Sequence, residues 1–279
     1  MDIHMFVDFA HRSIGIRPRL ITPEDLRLIP DCKSKGGYKL CCLVNDNERR
    51  AHTLGTFIHY TEKGEVVEEI HQLGLELHQR ELFGLSTEVL QQVSLRCFND
   101  MRTILLVHDK RMLGIIKQEI LTLVSRKVLT PAQGQTLDKG IADTILPGSM
   151  EMEELIQLST DTPERRKEYL LKPIRGGKGA GIVFGDELDS AEWLSSLESL
   201  RSARLIPGAT SYVVQRRIWP SLYDVILGTS GQRGRYPLIG TYHSVHGHLL
   251  GFGIWRSSPD RICAVSHGGG WICSVMKEH

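Results

Sequence analysis

The feature that most constrains this chain is a glycine-rich loop enclosed by two apolar runs, LLKPIRGGKGAGIVFG, from Leu170 to Gly185. Both apolar runs have the composition of strands, and the glycines allow a close turn with accessible backbone N–H groups. Lys172 lies inside the first run and Lys178 inside the loop. Because a strand lysine among apolar neighbours is costly to bury without an anionic partner, the stretch predicts a β-hairpin that binds phosphate.

Two other kinds of phosphate-binding loop are excluded by the residues that follow the glycines. A Walker A loop needs serine or threonine directly after its lysine and a helix that begins there, whereas Gly179 follows Lys178 and GIVFG has strand character. A dinucleotide-binding fingerprint also requires a helix after its glycines. A plain surface hairpin without a ligand remains the alternative at this point.

Composition limits the classes of partner. The 279 residues carry 34 basic and 33 acidic side chains, a net charge of +1, so no global attraction to nucleic acid or to an anionic membrane is expected. No apolar run approaches the roughly 20 residues of a membrane span. The N-terminus lacks the apolar core of a signal peptide. We therefore expect a cytoplasmic protein with no membrane and no nucleic-acid partner, and a homodimer is left open.

Neither the cysteines nor the histidines form a convincing metal motif. His243, His246 and His248 lie in TYHSVHGH, where no nearby cysteine or carboxylate completes a zinc site, so a solvated turn or a substrate contact is favoured. The cysteines contain no CxxC pair, which favours reduced thiols over a metal or redox centre. They are Cys32, Cys41, Cys42, Cys97, Cys263 and Cys273.

Apolar spacing predicts helices and strands in the first half of the chain. The stretch from Val66 to Arg102 repeats apolar residues at helical spacing, which predicts one or two long amphipathic helices. Residues 104–107 form an apolar run typical of a strand buried on both faces, followed by a helical pattern. His108, Asp109 and Lys110 would then lie where a strand meets a helix, an edge where ligands collect in open α/β sheets.

Further elements are expected around and after the hairpin. A helix with Thr130 as its N-cap should begin at Pro131 and run to Leu146, and another should follow Ser190 as its N-cap. Alternating apolar patterns and glycine turns predict strands elsewhere, so that the chain ends in a β-rich region. The expected strands lie within residues 36–44, 53–61, 211–219, 223–231, 237–245, 248–256 and 262–275.

The order of the motifs after residue 100 resembles that of the ATP-grasp ligases, in which a nucleotide lies between two α+β modules. In that family a lysine near a strand end, often as DK before a helix, precedes a second strand lysine and a loop of small residues over the phosphates. Here HDKRML supplies Lys110, LLKP supplies Lys172 and RGGKGAG supplies the loop, while YVVQRRI is similar to the adenine-contacting hinge. The closing AVSHGGGW resembles a segment of the glutathionylspermidine-synthetase-like and circularly permuted members.

The resemblance implies an α+β, ATP-grasp-like fold in three parts. These are an N-terminal α/β module over residues 1–108, a lid with the glycine-rich hairpin over 109–212, and a β-rich C-terminal module over 213–279. It also implies ATP as a cofactor, with Lys178 and Arg256 as catalytic residues: Lys178 would hold phosphate, and Arg256 would stabilise transferred charge. The implied cofactor-binding residues are Lys110, Lys172, Gly176, Gly177, Gly179, Gln215, Gly268 and Gly269.

The resemblance further implies Mg²⁺, for which the chain offers an incomplete set of ligands. Family members present an acid and then a Glu-x-Asn pair on their last strands, because magnesium needs hard oxygen ligands. No Glu-x-Asn follows residue 217, and Asp224 and Asp260 are the only carboxylates between there and Lys277. Asp260 is the candidate ligand, although SSPDR is equally typical of a turn.

The activity implied by the resemblance is ATP-dependent ligation of a small-molecule carboxylate to an amine or a thiol through an acyl-phosphate. Because the metal carboxylates are incomplete, the alternative is a degenerate member of the fold. Such a protein would bind a small molecule or catalyse a reaction without metal and without ATP. A third possibility is an unrelated α+β protein in which the glycine loop is only a hairpin.

Overall fold

The computed structural model describes residues 2–16, 18–44, 57–75, 77, 79–98, 106–227, 233–245, 247–264 and 268–272. The chain forms two compact units, Met1–Leu105 and Leu106–His279. Both contain helices and antiparallel sheets, so the expected α+β class is confirmed. Within the described ranges, none of the helices is both long and apolar enough to cross a membrane.

The first unit is built on a four-stranded antiparallel sheet in the order β1-β2-β4-β3. Leu40, Cys42, Ile70 and Val93 form its core, where the sheet meets the third helix. The strands are β1 (Leu26–Pro30), β2 (Tyr38–Leu43), β3 (Ile58–Tyr60) and β4 (Val66–Glu69), and the helices are α1 (Asp2–Ile14), α2 (Gln79–Phe83) and α3 (Thr87–Arg96). The strands expected within 36–44 and 53–61 are therefore present in the described part of those ranges.

The expectation of helix from residue 66 onward is wrong for its first part. Val66–Glu69 is a strand that pairs with β2 on one side and β3 on the other, so its backbone hydrogen bonds are satisfied by neighbouring strands. Leu73 then forms an isolated bridge with Cys97. Helix begins only at Gln79. Strand pairing between distant segments overrides the local helical spacing here, a competition that a single segment cannot reveal.

The buried strand expected at residues 104–107 is also wrong in its described part. Leu106 and Val107 have helical backbone and are 56% and 71% exposed, whereas residues 104 and 105 lie outside the described ranges. The following helix, α4 (Arg111–Ser125), is present as expected, with Lys110 as its N-cap residue. Lys110 therefore stands at a helix start but not at the end of a buried strand.

The second unit contains a four-stranded antiparallel sheet, here called the hairpin sheet, in the order β5-β8-β6-β7. Its strands are β5 (Thr144–Ile145), β6 (Tyr169–Pro173), β7 (Val183–Phe184) and β8 (Tyr212–Arg216). Two helices, α6 (Met150–Asp161) and α7 (Ser190–Ser199), contribute Met152, Leu155, Trp193 and Leu197 to a core that also contains Leu171 and Val214. The strand–glycine loop–strand prediction is confirmed by the pairing of β6 with β7.

Two helix boundaries in this unit need correction. The helix α5 (Pro131–Gly140) has the expected N-cap, Thr130, but it ends before Ile141 and is followed by strand β5. Pairing of Thr144 with Gln215 of β8 draws this segment into the sheet. Asp189, and not Ser190, caps α7, because its carboxylate accepts from the backbone N–H groups of residues 191 and 192.

The last part of the chain is β-rich, as expected. Strands β9 (Leu222–Ile226) and β10 (Arg233–Pro237) form one antiparallel pair, and β11 (Ile239–Val245), β12 (His248–Ser257) and β13 (Gly270–Ile272) form a three-stranded sheet. Ser257, 0% exposed, donates a hydrogen bond from Oγ to the carbonyl of Pro237 and so ties the end of β12 to the end of β10.

Candidate functional site

Lys172 lies on the face of the hairpin sheet that is opposite the helical core. Its neighbour Leu171 points into that core, so Lys172 must point away from it. Nζ of Lys172 donates a hydrogen bond to Oε1 of Gln215 at 2.9 Å. Burial lowers the pKa of Lys172, as expected for an ammonium group removed from water without a counter-charge. A half-buried cation with a neutral partner is a site that attracts an anion.

Lys110 supplies a second cation close to the first. Its Nζ donates to the carbonyl oxygen of Gly176 at 2.9 Å, and its backbone N–H donates to the carbonyl of Ile174 at 2.8 Å. These two bonds join the start of α4 to the root of the glycine loop. Burial, and then the charge of Lys172, lower the pKa of Lys110, so the two ammonium groups are near enough to repel each other.

The two cations and the loop thus converge as the motif order predicted. Lys110 donates to the carbonyl of Gly176 and Lys172 donates to the amide of Gln215, and among the described residues no carboxylate accepts a hydrogen bond from either ammonium group. Mutual repulsion and partial burial both favour the binding of a multiply charged anion between the lysines. Phosphate groups are anions of this kind.

Asp109 is a residue of this region to which the sequence assigned no role. Asp109 is only 7% exposed. Its carboxylate accepts two hydrogen bonds from the Arg111 guanidinium, at 2.9 and 2.6 Å, and one from the Arg111 backbone N–H. Burial raises the pKa of Asp109, but the bonds from Arg111 outweigh it and hold that pKa below its ordinary value. Arg175, at the base of the glycine loop, lies 3.7 Å away. Asp109 therefore orders the start of α4 beside Lys110.

The glycine loop has the backbone conformation that its composition predicts. Gly176, Gly179 and Gly181 adopt positive φ angles of 93°, 79° and 73°, and Lys178 does so at 58°. Such angles favour glycine, which explains the run of glycines. Lys178 is exposed at the tip of the loop, and no described hydrogen bond joins it to Lys110 or Lys172.

A short segment after β12 lies against the hairpin. The Cβ that a side chain would add at Gly179 would be 2.3 Å from Cγ2 of Ile262. Next to it, Arg261 donates to Asp186 at 2.6 and 3.0 Å, and Arg217 donates to the same carboxylate at 2.8 Å. The hydrogen bonds from Arg261 and Arg217 lower the pKa of Asp186 despite some burial. We call residues 258–264, which include Arg261 and Ile262, the docking turn.

The hinge expected at residues 214–217 is the end of β8 and the residue after it. Gln215 is 4% exposed and faces Lys172, whereas the Arg217 guanidinium lies 3.6 Å from the ring centre of Trp219 and 5.1 Å from that of Phe184. Trp219 itself is 68% exposed. The sequence does not indicate this stack, because Phe184 is separated from Arg217 and Trp219 by more than 30 residues.

Arg256 and Asp260 contact residues other than the lysine pair in the described part of the chain. Arg256 is exposed on β12, where it stands opposite Ile239 of β11 and Trp271 of β13. Asp260 is exposed in the docking turn, and its backbone N–H donates to Ser258 Oγ. Among the described residues, no hydrogen bond or ion pair joins either of them to Lys110 or Lys172. Their catalytic and metal-binding roles stay predictions.

The glycines near the end of the chain have a packing role. The N–H of Gly269 donates to the carbonyl of Ala264, and a Cβ at position 269 would lie 2.9 Å from the carbonyl oxygens of Ala264 and Ser257. Gly268 adopts a positive φ of 78°. Close approach to two carbonyl groups therefore accounts for Gly269, and the positive φ accounts for Gly268. The cofactor-binding role of both glycines stays a prediction.

The described residues do not supply a metal site. Within the ranges that the structure covers, no group of three or more histidine, cysteine, aspartate or glutamate side chains could hold an ion. Asp260 alone does not provide the carboxylate set that magnesium prefers. His246 and Cys273 lie outside the described ranges, and the five described cysteines form no disulfide.

Comparison with known proteins found similarity to a domain family in the first part of the chain and to an enzyme along nearly all of it. A family described as "AnkG N-terminal domain" matches residues 1–106. The chain is 40% identical over 275 residues to the "ATP-grasp enzyme ankG" of Aspergillus thermomutatus, an alignment that covers 98% of this chain and 57% of that protein. The chain therefore spans a little more than half the length of this relative. Over nearly its whole length, it is similar to part of an ATP-grasp enzyme.

Proposed function

We propose that the second unit binds ATP and that the protein is an ATP-dependent ligase of the ATP-grasp type. The observation that carries the proposal is the convergence of Lys110 and Lys172 at the root of the glycine loop. The 40% identity to a protein named as an ATP-grasp enzyme supports it. In this proposal the lysine pair neutralises phosphate oxygens, and the loop N–H groups approach the same phosphates.

The chemistry of such a ligase assigns the remaining roles. When bound, ATP supplies a phosphoryl group that activates a small-molecule carboxylate, and an amine or thiol then completes the amide or thioester. Lys110 and Lys172 hold negative charge in place, and Lys178 is carried at the loop tip, where it can reach a ligand below the loop. Residues 214–217 are the proposed adenine-contacting hinge. No step is assigned to magnesium, because the described carboxylates do not form its site.

Calorimetry of ATP binding, with and without magnesium, tests this proposal on the whole chain. Wild type should bind ATP with a Kd well below about 1 mM. Lys172→Ala should weaken binding about tenfold or more, since charged hydrogen bonds to phosphate are lost. Lys139→Ala, which removes an exposed lysine from the end of α5, is the matched control and should bind as wild type does.

Three outcomes separate the candidate functions. Magnesium-dependent binding that is lost in Lys172→Ala supports the ligase. Binding of ATP that ignores magnesium supports a nucleotide-binding protein without ligase chemistry. An absence of binding at millimolar ATP, from protein with an intact thermal transition, contradicts the proposal and leaves the hairpin without a nucleotide.

A further inference from the structure

Lys172 is held by a hydrogen-bond network of uncharged partners that runs across three strands of the hairpin sheet. Lys172 Nζ donates to Gln215 Oε1 at 2.9 Å, and Gln215 Nε2 donates to Thr144 Oγ1 at 2.7 Å. Thr144 Oγ1 in turn donates to the carbonyl oxygen of Ala142 at 2.9 Å. Gln215 is 4% exposed, so its amide has no ready alternative partner in water.

The groups at the two ends of this hydrogen-bond network require the same orientation of the Gln215 amide. An ammonium group has only donors, so the atom of Gln215 that faces Lys172 must be the amide oxygen. At the other end, the Thr144 proton is committed to the Ala142 carbonyl, so the hydroxyl oxygen must accept from the Gln215 amide nitrogen. The amide is therefore locked in one of its two orientations by chemistry at each end.

The register of the strands explains why these side chains meet. Thr144 of β5 stands directly opposite Gln215 of β8, and Lys172 of β6 stands opposite Val213, two residues before Gln215. Residues 213 and 215 share a face of β8, so Lys172 and Gln215 are diagonal neighbours on that face. These hydrogen bonds thus fix the Lys172 side chain but do not neutralise the charge of its ammonium group.

We propose that Gln215 and Thr144 are positioning residues for anion binding by Lys172. Gln215 offers a neutral acceptor, and Thr144 fixes which end of the amide faces the lysine. A carboxylate in place of the amide would hold the ammonium group equally well but would cancel its charge. The ammonium group has two further N–H donors, and these are left for phosphate oxygens. The proposal rests on the proposed function, because the anion in question is a phosphate of ATP.

Gln215→Glu is the decisive variant, because it keeps the shape of the side chain and adds only a charge. It should weaken the binding of ATP, and of inorganic tripolyphosphate as a probe without adenine, by about tenfold or more at neutral pH. Gln135→Glu makes the same change at an exposed position of α5 and should leave both affinities unchanged.

The pH profile of tripolyphosphate binding gives a readout that a merely structural role would not move. Affinity should fall at high pH as Lys172 loses its proton. Gln215→Glu should move that fall to higher pH, because a carboxylate favours the charged lysine. Lys110 is a second titratable lysine at this site, its neighbour Asp109 is held by Arg111, and Arg175 lies 3.7 Å from the same carboxylate. Lys110→Met, measured in parallel, separates its titration from that of Lys172.

Thr144 is tested through a pair of variants. Thr144→Val removes the acceptor that fixes the amide and should weaken tripolyphosphate binding about three- to tenfold, whereas Thr144→Ser restores the hydroxyl and should rescue it. If Lys172→Ala loses ATP but Gln215→Glu and Thr144→Val bind as wild type does, the positioning role is wrong and the proposed function stands. If wild type binds neither ATP nor tripolyphosphate, the proposed function itself has failed. If Thr144→Val does not fold, Gln215→Glu decides alone.

Discussion

Gly179 of the glycine loop lies directly against Ile262 of the docking turn, so closely that a Cβ at position 179 would be 2.3 Å from Ile262 Cγ2. Gly179 also has a φ of 79°, which disfavours any side chain. The loop is therefore held against the turn by an approach that only glycine permits. Position 179 consequently sets how closely the loop can approach the docking turn.

Gly179→Ala should displace the loop and weaken ATP binding about tenfold, because both the contact with Ile262 and the backbone angle resist the added methyl group. Gly140→Ala, at the end of α5 and outside the loop, is a matched control, since a Cβ there meets no atom within 4 Å and no positive φ is involved. Calorimetry with ATP measures the effect. Equal affinities for the two variants would show that the loop position does not matter for binding.

Asp186→Asn should flatten the pH dependence of stability at the acid end. The arginines at 261 and 217 lower the pKa of Asp186 in the folded protein, so its contribution to stability is present above the unfolded pKa of about 3.9 and is lost as pH falls through the lower folded value. Thermal melts from pH 2 to 6 measure this. At neutral pH the substitution should cost about 1–3 kcal/mol, because the Arg217 side chain, 9% exposed, loses its ionised partner.

The exposed Asp224 supplies the control for that experiment. Asp224→Asn changes the same charge on β9 and should leave the acid limb of the melting curve as in wild type. If the melting temperature of Asp224→Asn loses as much of its pH dependence below pH 6 as that of Asp186→Asn, then net charge, and not the arginine contacts, causes the loss of stability in acid.

Ser159→Ala should destabilise the second unit by about 1–3 kcal/mol, since it leaves a buried indole donor without a partner. Trp193 is 1% exposed and its Nε1 donates to Ser159 Oγ at 3.1 Å. Ser195→Ala, at an exposed position of α7, should change the free energy of unfolding by less than about 0.5 kcal/mol. Urea denaturation followed by tryptophan fluorescence checks both, and similar values for the two variants would contradict the assigned role of the buried bond.

Cys32 should react with iodoacetamide in the folded protein long before Cys41 does. Burial raises the pKa of Cys41 to about 11, and the residue is 0% exposed, so neither thiolate nor access is present at neutral pH. Cys32 is exposed on the loop between β1 and β2. Peptide mass spectrometry after timed alkylation measures the order, and early modification of Cys41 would show that the first sheet opens readily.

The hairpin was predictable because its signals are local. A strand lysine, a run of glycines and a second apolar run follow one another directly, and the observed pairing of Leu171 with Val183 closes the hairpin that they predict. Lys110 was found through a short motif before a helix pattern. That helix start is present, although no buried strand precedes it in the described residues.

The missed residues depend on contacts between distant parts of the chain. Thr144 lies in a strand of two residues, which is too short to show the alternating pattern that identifies strands in a sequence. Its hydrogen bond with Gln215 is evident only once β5 is known to pair with β8. Asp186 gains its importance from Arg217 and Arg261, which lie far along the sequence. Val66–Glu69 was assigned to helix for the same reason, since its two partner strands were not known.

The pairing of β5 with β8 also bears on how the protein is made. The Thr144–Gln215 hydrogen bond joins residues 71 positions apart. Because β8 lies between β5 and β6, the four-stranded sheet cannot form until β8 has been synthesised. At about 5–20 residues per second, a ribosome takes roughly 4 to 14 s to synthesise that interval. Until β8 is made, the apolar face of α6, and then that of α7, lacks Val214 as a packing partner. The emerging chain therefore exposes apolar surface, of the kind that chaperones bind, until β8 leaves the exit tunnel.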